Sequence, residues 1–355
     1  MQDRSLKKRP SRRLLLFWIV LLIGSLAVLA TCSQFQIITR SNCRTVSGLP
    51  GPEDFALSQN GNDRLIISSQ ERRKRDAKGE FAYQGAIYSY YLAGSNKGQV
   101  IPLEFKGRDD YPFKPHGIYL RRQGSTEFLY VINHATLQQH SIEQFRLKND
   151  TLQFIERYRS AMLVSPNDLV TSNDGRHIYI SNDRLHKGFL GMLGDLLRVG
   201  TSNVIHLDLD RNRWEVAASG LAFPNGVELD QNHLYVATTR GQSLLAFERR
   251  SDGTIGPEQF EIDVNSGLDN LLWERPGVLN VAAHPDIFAF LDHIDDPTSH
   301  SPSEAYRVYV DQSRSVERIW SDDGNLLDAS STALVTKGQL IVSQVFDPEI
   351  LICQM

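Results

Sequence analysis

Four short stretches of this chain set a carboxylate or an amide at the head of an apolar run. They are Glu53-Asp54 before Phe55-Ala56-Leu57, Asn167-Asp168 before Leu169-Val170, Asn225 before Gly226-Val227, and Asp269-Asn270 before Leu271-Leu272. A fifth offers His116 in the same place, before Gly117-Ile118. Singly, an Asn or Asp before a strand is ordinary turn chemistry. Its recurrence in register points to one shared centre. Carboxylates and amide oxygens without a cysteine form a hard-oxygen set, suited to Ca²⁺, which takes six to eight oxygens in flexible geometry. His116 and His134 lie at the heads of the first and second runs of one unit. Such a pair can pass a proton, with His116 as the base near the metal and His134 setting its tautomer. Asp269 could serve as base or nucleophile instead of as a ligand. Asp183 and His284 end second runs and are expected at the pocket rim.

Other chemistries find no motif. There is no Gly-x-Ser-x-Gly elbow, no Walker loop, no dinucleotide fingerprint and no zinc-type Cys/His cluster. The net charge is −4, and residues 1–13 hold six cations against Asp3, so the remainder carries −9. A body this acidic argues against nucleic-acid binding, which needs a basic footprint.

The leading residues can meet only if the runs behind them converge. Each is the first of a pair of β-like runs separated by Gly, Asn, Asp or Pro turns, as in Asn167–Val170 followed by His177–Ser181. A sixth unit starts at Ser330-Ser331-Thr332. Unit starts fall near 54, 117, 168, 226, 270 and 331, a spacing of 44 to 63 residues. Further strand candidates fill the intervals, at 142–147 with 152–158, 204–209 with 214–218, and 305–310 with 316–320. Four strands per unit at this period predict an all-β, six-bladed propeller, in which the first strand of each blade lines a central channel. Residues 185–200 break the rhythm with a helical stripe of Phe189, Leu190, Leu193, Leu196 and Leu197. It reads as a helix packed on the propeller top or as a rim with an apolar face toward substrate or lipid.

The expected organisation is a basic tail (1–13), a transmembrane or signal-anchor helix (14–31), a linker (32–42) and the propeller (43–355). The uncharged run 14–31 spans roughly 27 Å as a helix, enough for a hydrocarbon core. The basic flank keeps the N-terminus cytoplasmic and exports the body, which makes the membrane a partner and the propeller extracytoplasmic. A cleaved signal peptide, which would leave the body secreted, and a lipoprotein signal ending at Cys32 are the competing readings. Of the three cysteines, Cys43 and Cys353 sit at the two ends of the body, where a bridge would staple the last blade to a strand borrowed from the N-terminal side.

In order and spacing these motifs resemble those of the paraoxonase/arylesterase family, six-bladed propellers related to gluconolactonase-like and strictosidine-synthase-like proteins. The resemblance runs from about Cys43 to Met355. It rests on Ser41-Asn42-Cys43, Pro52-Glu53-Asp54, Pro115-His116-Gly117-Ile118, Val131-Ile132-Asn133-His134, Pro166-Asn167-Asp168, Asn182-Asp183, Phe223-Pro224-Asn225-Gly226, Leu268-Asp269-Asn270, Ala283-His284-Pro285 and Leu351-Ile352-Cys353. It implies two calcium ions: a catalytic one held by Glu53, Asn167, Asn225, Asp269 and Asn270, and a structural one held by Asp54, Asp168 and the carbonyl of Ile118. It implies His116 and His134 as a dyad that activates water to hydrolyse lactones and aryl esters. Family members often carry His after the Asn-Asp of the third unit. Here Arg184 stands there, which implies a more cationic pocket wall. A sugar lactonase of the gluconolactonase branch and a non-enzymatic anchored propeller are the alternative functions.

Overall fold

The computed structural model describes residues 42–58, 63–185 and 199–355. The segments 14–31 and 186–198, read above as a membrane helix and as most of a rim helix, lie outside the described residues. Among the described residues no helix is long and apolar enough to cross a membrane.

The strands pair into six largely antiparallel sheets, four of them built wholly in chain order from the channel outward, so the architecture is a six-bladed propeller. The innermost strands are Asp54–Ser58, Pro115–Gln123, Pro166–Thr171, Pro224–Leu229, Gly267–Arg275 and Ser330–Thr336. All six follow from the polar-headed apolar runs of the sequence. The second blade gains a fifth strand, Glu104–Lys106, which pairs parallel to Thr151–Tyr158.

Apolar side chains fill the seams between successive blades. Ile66 and Ile87 of the first blade meet Leu129, Val131 and Phe145 of the second. Tyr235, Leu244 and Ile262 of the fourth meet Leu268, Leu279 and Val308 of the fifth. Burial stabilises each such aliphatic or aromatic side chain by about 1.5–3 kcal/mol relative to exposure. The seams therefore supply the rigidity that a polar channel cannot.

The sixth blade closes the ring. Its outermost strand is Cys43–Ser47, paired with Glu349–Gln354 in a register that sets Cys43 opposite Cys353. The two cysteines are bonded across 310 residues of chain. Replacing both by serine is expected to lower the unfolding free energy by roughly 2–5 kcal/mol. A lower denaturant midpoint, with a steeper slope because the uncrosslinked unfolded chain exposes more surface, would report it.

One element has no counterpart in the sequence reading. Inside the fifth blade, between Val278–His284 and Ser303–Tyr309, runs the helix Ile287–Asp295. Asp286 caps it, accepting from the amides of Phe288 and Ala289. That contact satisfies donors that a helix start otherwise leaves bare.

Candidate functional site

Five of the six inner strands carry a register irregularity at their heads: between Pro115 and Ile118, Pro166 and Leu169, Pro224 and Val227, Leu268 and Leu271, and Ser330 and Ala333. Such bulges re-aim side chains and are common beside active sites. Here each irregularity contains the polar head of its unit: a pair in Asn167-Asp168, Asp269-Asn270 and Ser331-Thr332, and a single residue before Gly in His116-Gly117 and Asn225-Gly226. Neighbouring strands approach closely at the same level. A Cβ on Gly117 would lie 2.4 Å from the Asn167 carbonyl oxygen, and one on Gly226 would lie 2.7 Å from that of Asp269. Only glycine fits at either position, which accounts for the Gly that follows His116 and Asn225.

Glu53, Asn167, Asn225, Asp269 and Asn270 are all buried. Their nitrogens and some oxygens are engaged by protein. Asn270 Nδ2 donates to Glu53 Oε1 at 3.0 Å, Ser331 Oγ donates to the same oxygen at 3.1 Å, and Asn225 Nδ2 donates to Thr239 Oγ1 at 3.2 Å. Asp183 lies against Asn167, its carboxyl raised by burial. What remains is a set of oxygens. Glu53 Oε2, Asn167 Oδ1, Asn225 Oδ1 and Asn270 Oδ1 are buried and accept no hydrogen bond. Leaving a buried acceptor bare costs about 1–3 kcal/mol. Four such oxygens from four blades are a donor set that fits a hard cation.

Electrostatics agree. Burial raises the pKa of Glu53, against the pull of Arg72, and that of Asp269, against His284. Asp54 and Asp168 are raised well above the ordinary carboxylate value by burial. Next in size come like charges, Glu53 acting on Asp54 and Asp54 on Asp168. A group of carboxylates in this state needs protons or a cation. Asp54 and Asp168 are also built alike. Each takes an amide of its own strand on Oδ1 (Phe55 or Leu169, both 2.7 Å). Each takes an amide of the next blade on Oδ2, Ile118 at 2.7 Å or Val227 at 2.8 Å. At Ile118 the contact shown is therefore its N–H to Asp54. Asp54 Oδ1 also accepts from the Thr332 hydroxyl at 3.0 Å, so the second lone pairs that remain to face an ion are those of Asp54 Oδ2 and of both Asp168 oxygens.

The sign of the pH effect follows. In the cation-free protein Asp54 and Asp168 have folded-state pKa values above the unfolded value of about 3.9. The native state then binds more protons, so their contribution is fully present below about pH 4 and is lost as pH rises through the raised values. The chelated protein should thus melt at a lower temperature at pH 7 than at pH 5. Calcium readdition should close that gap.

His116 stands beside this group, Nε2 3.5 Å from Glu53 Oε1, with a fifth of its side chain exposed. Burial, then the nearby Arg72 charge, pushes its pKa down to about 3, with Asp269 opposing. It is therefore neutral near pH 7. The His134 ring meets it edge to face with centroids 5.0 Å apart.

His284 lies deeper than the rim position expected for it. It is 3% exposed, and its Nε2 lies 2.9 Å from Asp269 Oδ2. The unforeseen helix explains this, because Phe290 covers the imidazole at 4.3 Å between ring centroids. Arg184 is on the outside, its guanidinium 5.0 Å over the Phe223 ring.

Three further residues join the site. Buried Arg72 has Nη2 4.0 Å from Glu53 Oε2 and donates from Nη1 to the Gly51 carbonyl at 2.7 Å. Thr332 Oγ1 lies 3.0 Å from both the Glu53 carbonyl and Asp54 Oδ1. His140 stands behind His134. Thr332 was within reach of the sequence, because it heads the sixth unit as Asp54 and Asp168 head theirs.

The arylesterase family model matches residues 48–355. The chain belongs to the arylesterase family. Among its relatives in that family, serum paraoxonase/arylesterase 2 of Gallus gallus is 27% identical over 319 residues, 86% of each chain. Serum paraoxonase/arylesterase 1 of Homo sapiens is 26% identical over 328 residues, 88% of this chain and 89% of that one. Serum paraoxonase/lactonase 3 of Oryctolagus cuniculus is 24% identical over 326 residues, with the same coverage. Among solved structures, a gluconolactonase of Xanthomonas campestris superposes with a TM-score of 0.55 at 17% identity over 90% of this chain and 94% of that one. The PQQ-bound aldose sugar dehydrogenase of Streptomyces coelicolor gives 0.54 at 12% identity over 88% and 96%. At such identities these two are likenesses of fold. An arylesterase-family member is thus one solution among several chemistries that share this ring.

Proposed function

We propose that this protein is a calcium-dependent hydrolase of lactones and aryl esters. The observation that carries the reading is the set of four donor-less buried oxygens beside the His116–His134 pair, in a chain whose relatives are named paraoxonases, arylesterases and lactonases. Glu53, Asn167, Asn225, Asp269 and Asn270 would hold the catalytic ion. Asp54, Asp168 and the Ile118 carbonyl would hold a second, structural one. A bound calcium supplies polarisation of the ester carbonyl and stabilisation of negative charge on its oxygen in the transition state.

The chain's own groups do the rest. His116, neutral at working pH, takes the proton of the attacking water, and His134 orients it. His284 holds one oxygen of Asp269, so the other is free to face the ion. Asn270 and Ser331 hold one oxygen of Glu53 in the same way. Arg72 favours the charged form of Glu53 against the larger effect of burial, and its presence near His116 favours the neutral imidazole. No covalent intermediate is required.

The Cys43–Cys353 bond fits an oxidising, extracytoplasmic compartment. A membrane anchor formed by residues 14–31 is the proposed means of retention there. Hydrolysis of phenyl acetate and of a lactone panel, with and without chelator, tests the function. Calcium-dependent turnover is expected. Turnover that ignores chelation would overturn the metal's role. No turnover, with calcium still raising the thermal midpoint, would favour a binding module.

A further inference from the structure

The His116–His134 pair does not end at His134. The segment after the strand Thr126–Asn133 makes a tight turn, with Thr136 and Gln139 exchanging backbone hydrogen bonds at 3.3 and 3.4 Å. This turn folds His140 back onto His134. The rings meet edge to face at 4.7 Å, and the two Nδ1 atoms are 2.8 Å apart. Two ring nitrogens at that distance share one proton, one donating and the other accepting. The same His134 ring meets His116 edge to face with centroids 5.0 Å apart. His140 also lines a cavity of about 860 Å³ with Tyr111, Gln139, Arg159 and Ser160.

We propose that His140 is a positioning residue: it fixes the tautomer and tilt of His134, completing a three-histidine relay that leads from the channel to this cavity. The inference rests on the hydrolytic function proposed above. Ester hydrolysis near neutral pH consumes water and yields an alcohol, a carboxylate and one proton. The C–O bond breaks as the water oxygen bonds to the carbonyl carbon. The proton that His116 accepts must leave before the next turnover. His134 can hand it on through the Nδ1 bond only if His140 accepts it there and gives up a proton from its other nitrogen, the buried Nε2, to water reaching the ring from the cavity it lines.

The test compares wild type, His140→Ala and His140→Gln in the full chain with calcium present, reading kcat, KM and thermal midpoint. Both variants are expected to lose about ten- to a hundredfold in kcat with KM unchanged. Because the deleted ring borders the cavity, imidazole added to the buffer should restore most of the alanine variant's rate, in a saturable way, and a neutral alcohol of similar size should not. The glutamine variant fills the space without relaying a proton and should stay slow with a near-native midpoint, which separates relay from packing. Wild-type kcat in both variants, or an alanine variant with a native midpoint that imidazole does not restore, would overturn the role of His140 alone. A wild type that hydrolyses neither esters nor lactones would overturn the functional reading beneath it.

Discussion

Chelation is expected to abolish ester and lactone hydrolysis, by at least about a hundredfold, and to lower the thermal midpoint at the same time. The two losses share one cause. The site gathers Glu53, Asp54, Asp168 and Asp269 in a buried channel, and the pKa of each is raised by burial. Without a cation, that cluster is self-repelling and four oxygens lack a donor. An ion that binds only the folded state adds stability by mass action, about 4 kcal/mol when present at a thousand times its dissociation constant. Activity and melting temperature should therefore return together as calcium is titrated back. Two separate midpoints would instead resolve two ions, the tighter one expected at Asp54 and Asp168. A protein whose melting is indifferent to EDTA would contradict the reading of the bare oxygens.

The second large effect is expected at His116 and Asp269, and the pair tells the base from the ligand. His116→Gln removes the group placed to take the water's proton and should lower kcat by about 10²–10⁴. Calcium affinity should change little, because the imidazole is not in the proposed ligand set. Asp269→Asn keeps an oxygen but removes a charge and the acceptor for His284. It should weaken calcium binding and activity together, and excess calcium should recover part of the rate. If the His116 variant retains lactone and ester hydrolysis while the Asp269 variant loses both at saturating calcium, Asp269 is the base and the histidine dyad is not.

Much of this was legible because a propeller writes its geometry into period and polarity. The six inner strands could be read from Asp54, His116, Asn167, Asn225, Asp269 and Ser331 because each blade repeats one pattern, and ring closure alone brings their heads together. The Cys43–Cys353 pairing was legible for the same reason, since closure needs a strand from each end. His140 was not, because it sits in a turn with no repeat counterpart, and only the fold-back of residues 134–140 sets it on His134. Arg72 was hidden in a basic run, Arg72-Arg73-Lys74-Arg75, that reads as a solvated face. The helix Ile287–Asp295 is short, and its apolar stripe of Ile287, Phe290, Leu291 and Ile294 does not by itself say that it folds over His284. Its signal was local: Asp286 two residues after His284, a capping residue ahead of an apolar turn.

The joined ends of the sixth blade also give the folded domain the connectivity of a covalent circle. From Cys43 through the six blades to Cys353 and back across the sulfurs, no point on the backbone is the sole link between two parts of the ring. A single cut in any loop between blades opens that circle into one linear molecule without releasing a piece. A protease that nicks such a loop should leave one species of unchanged mass on a non-reducing gel and two fragments once the sulfurs are reduced.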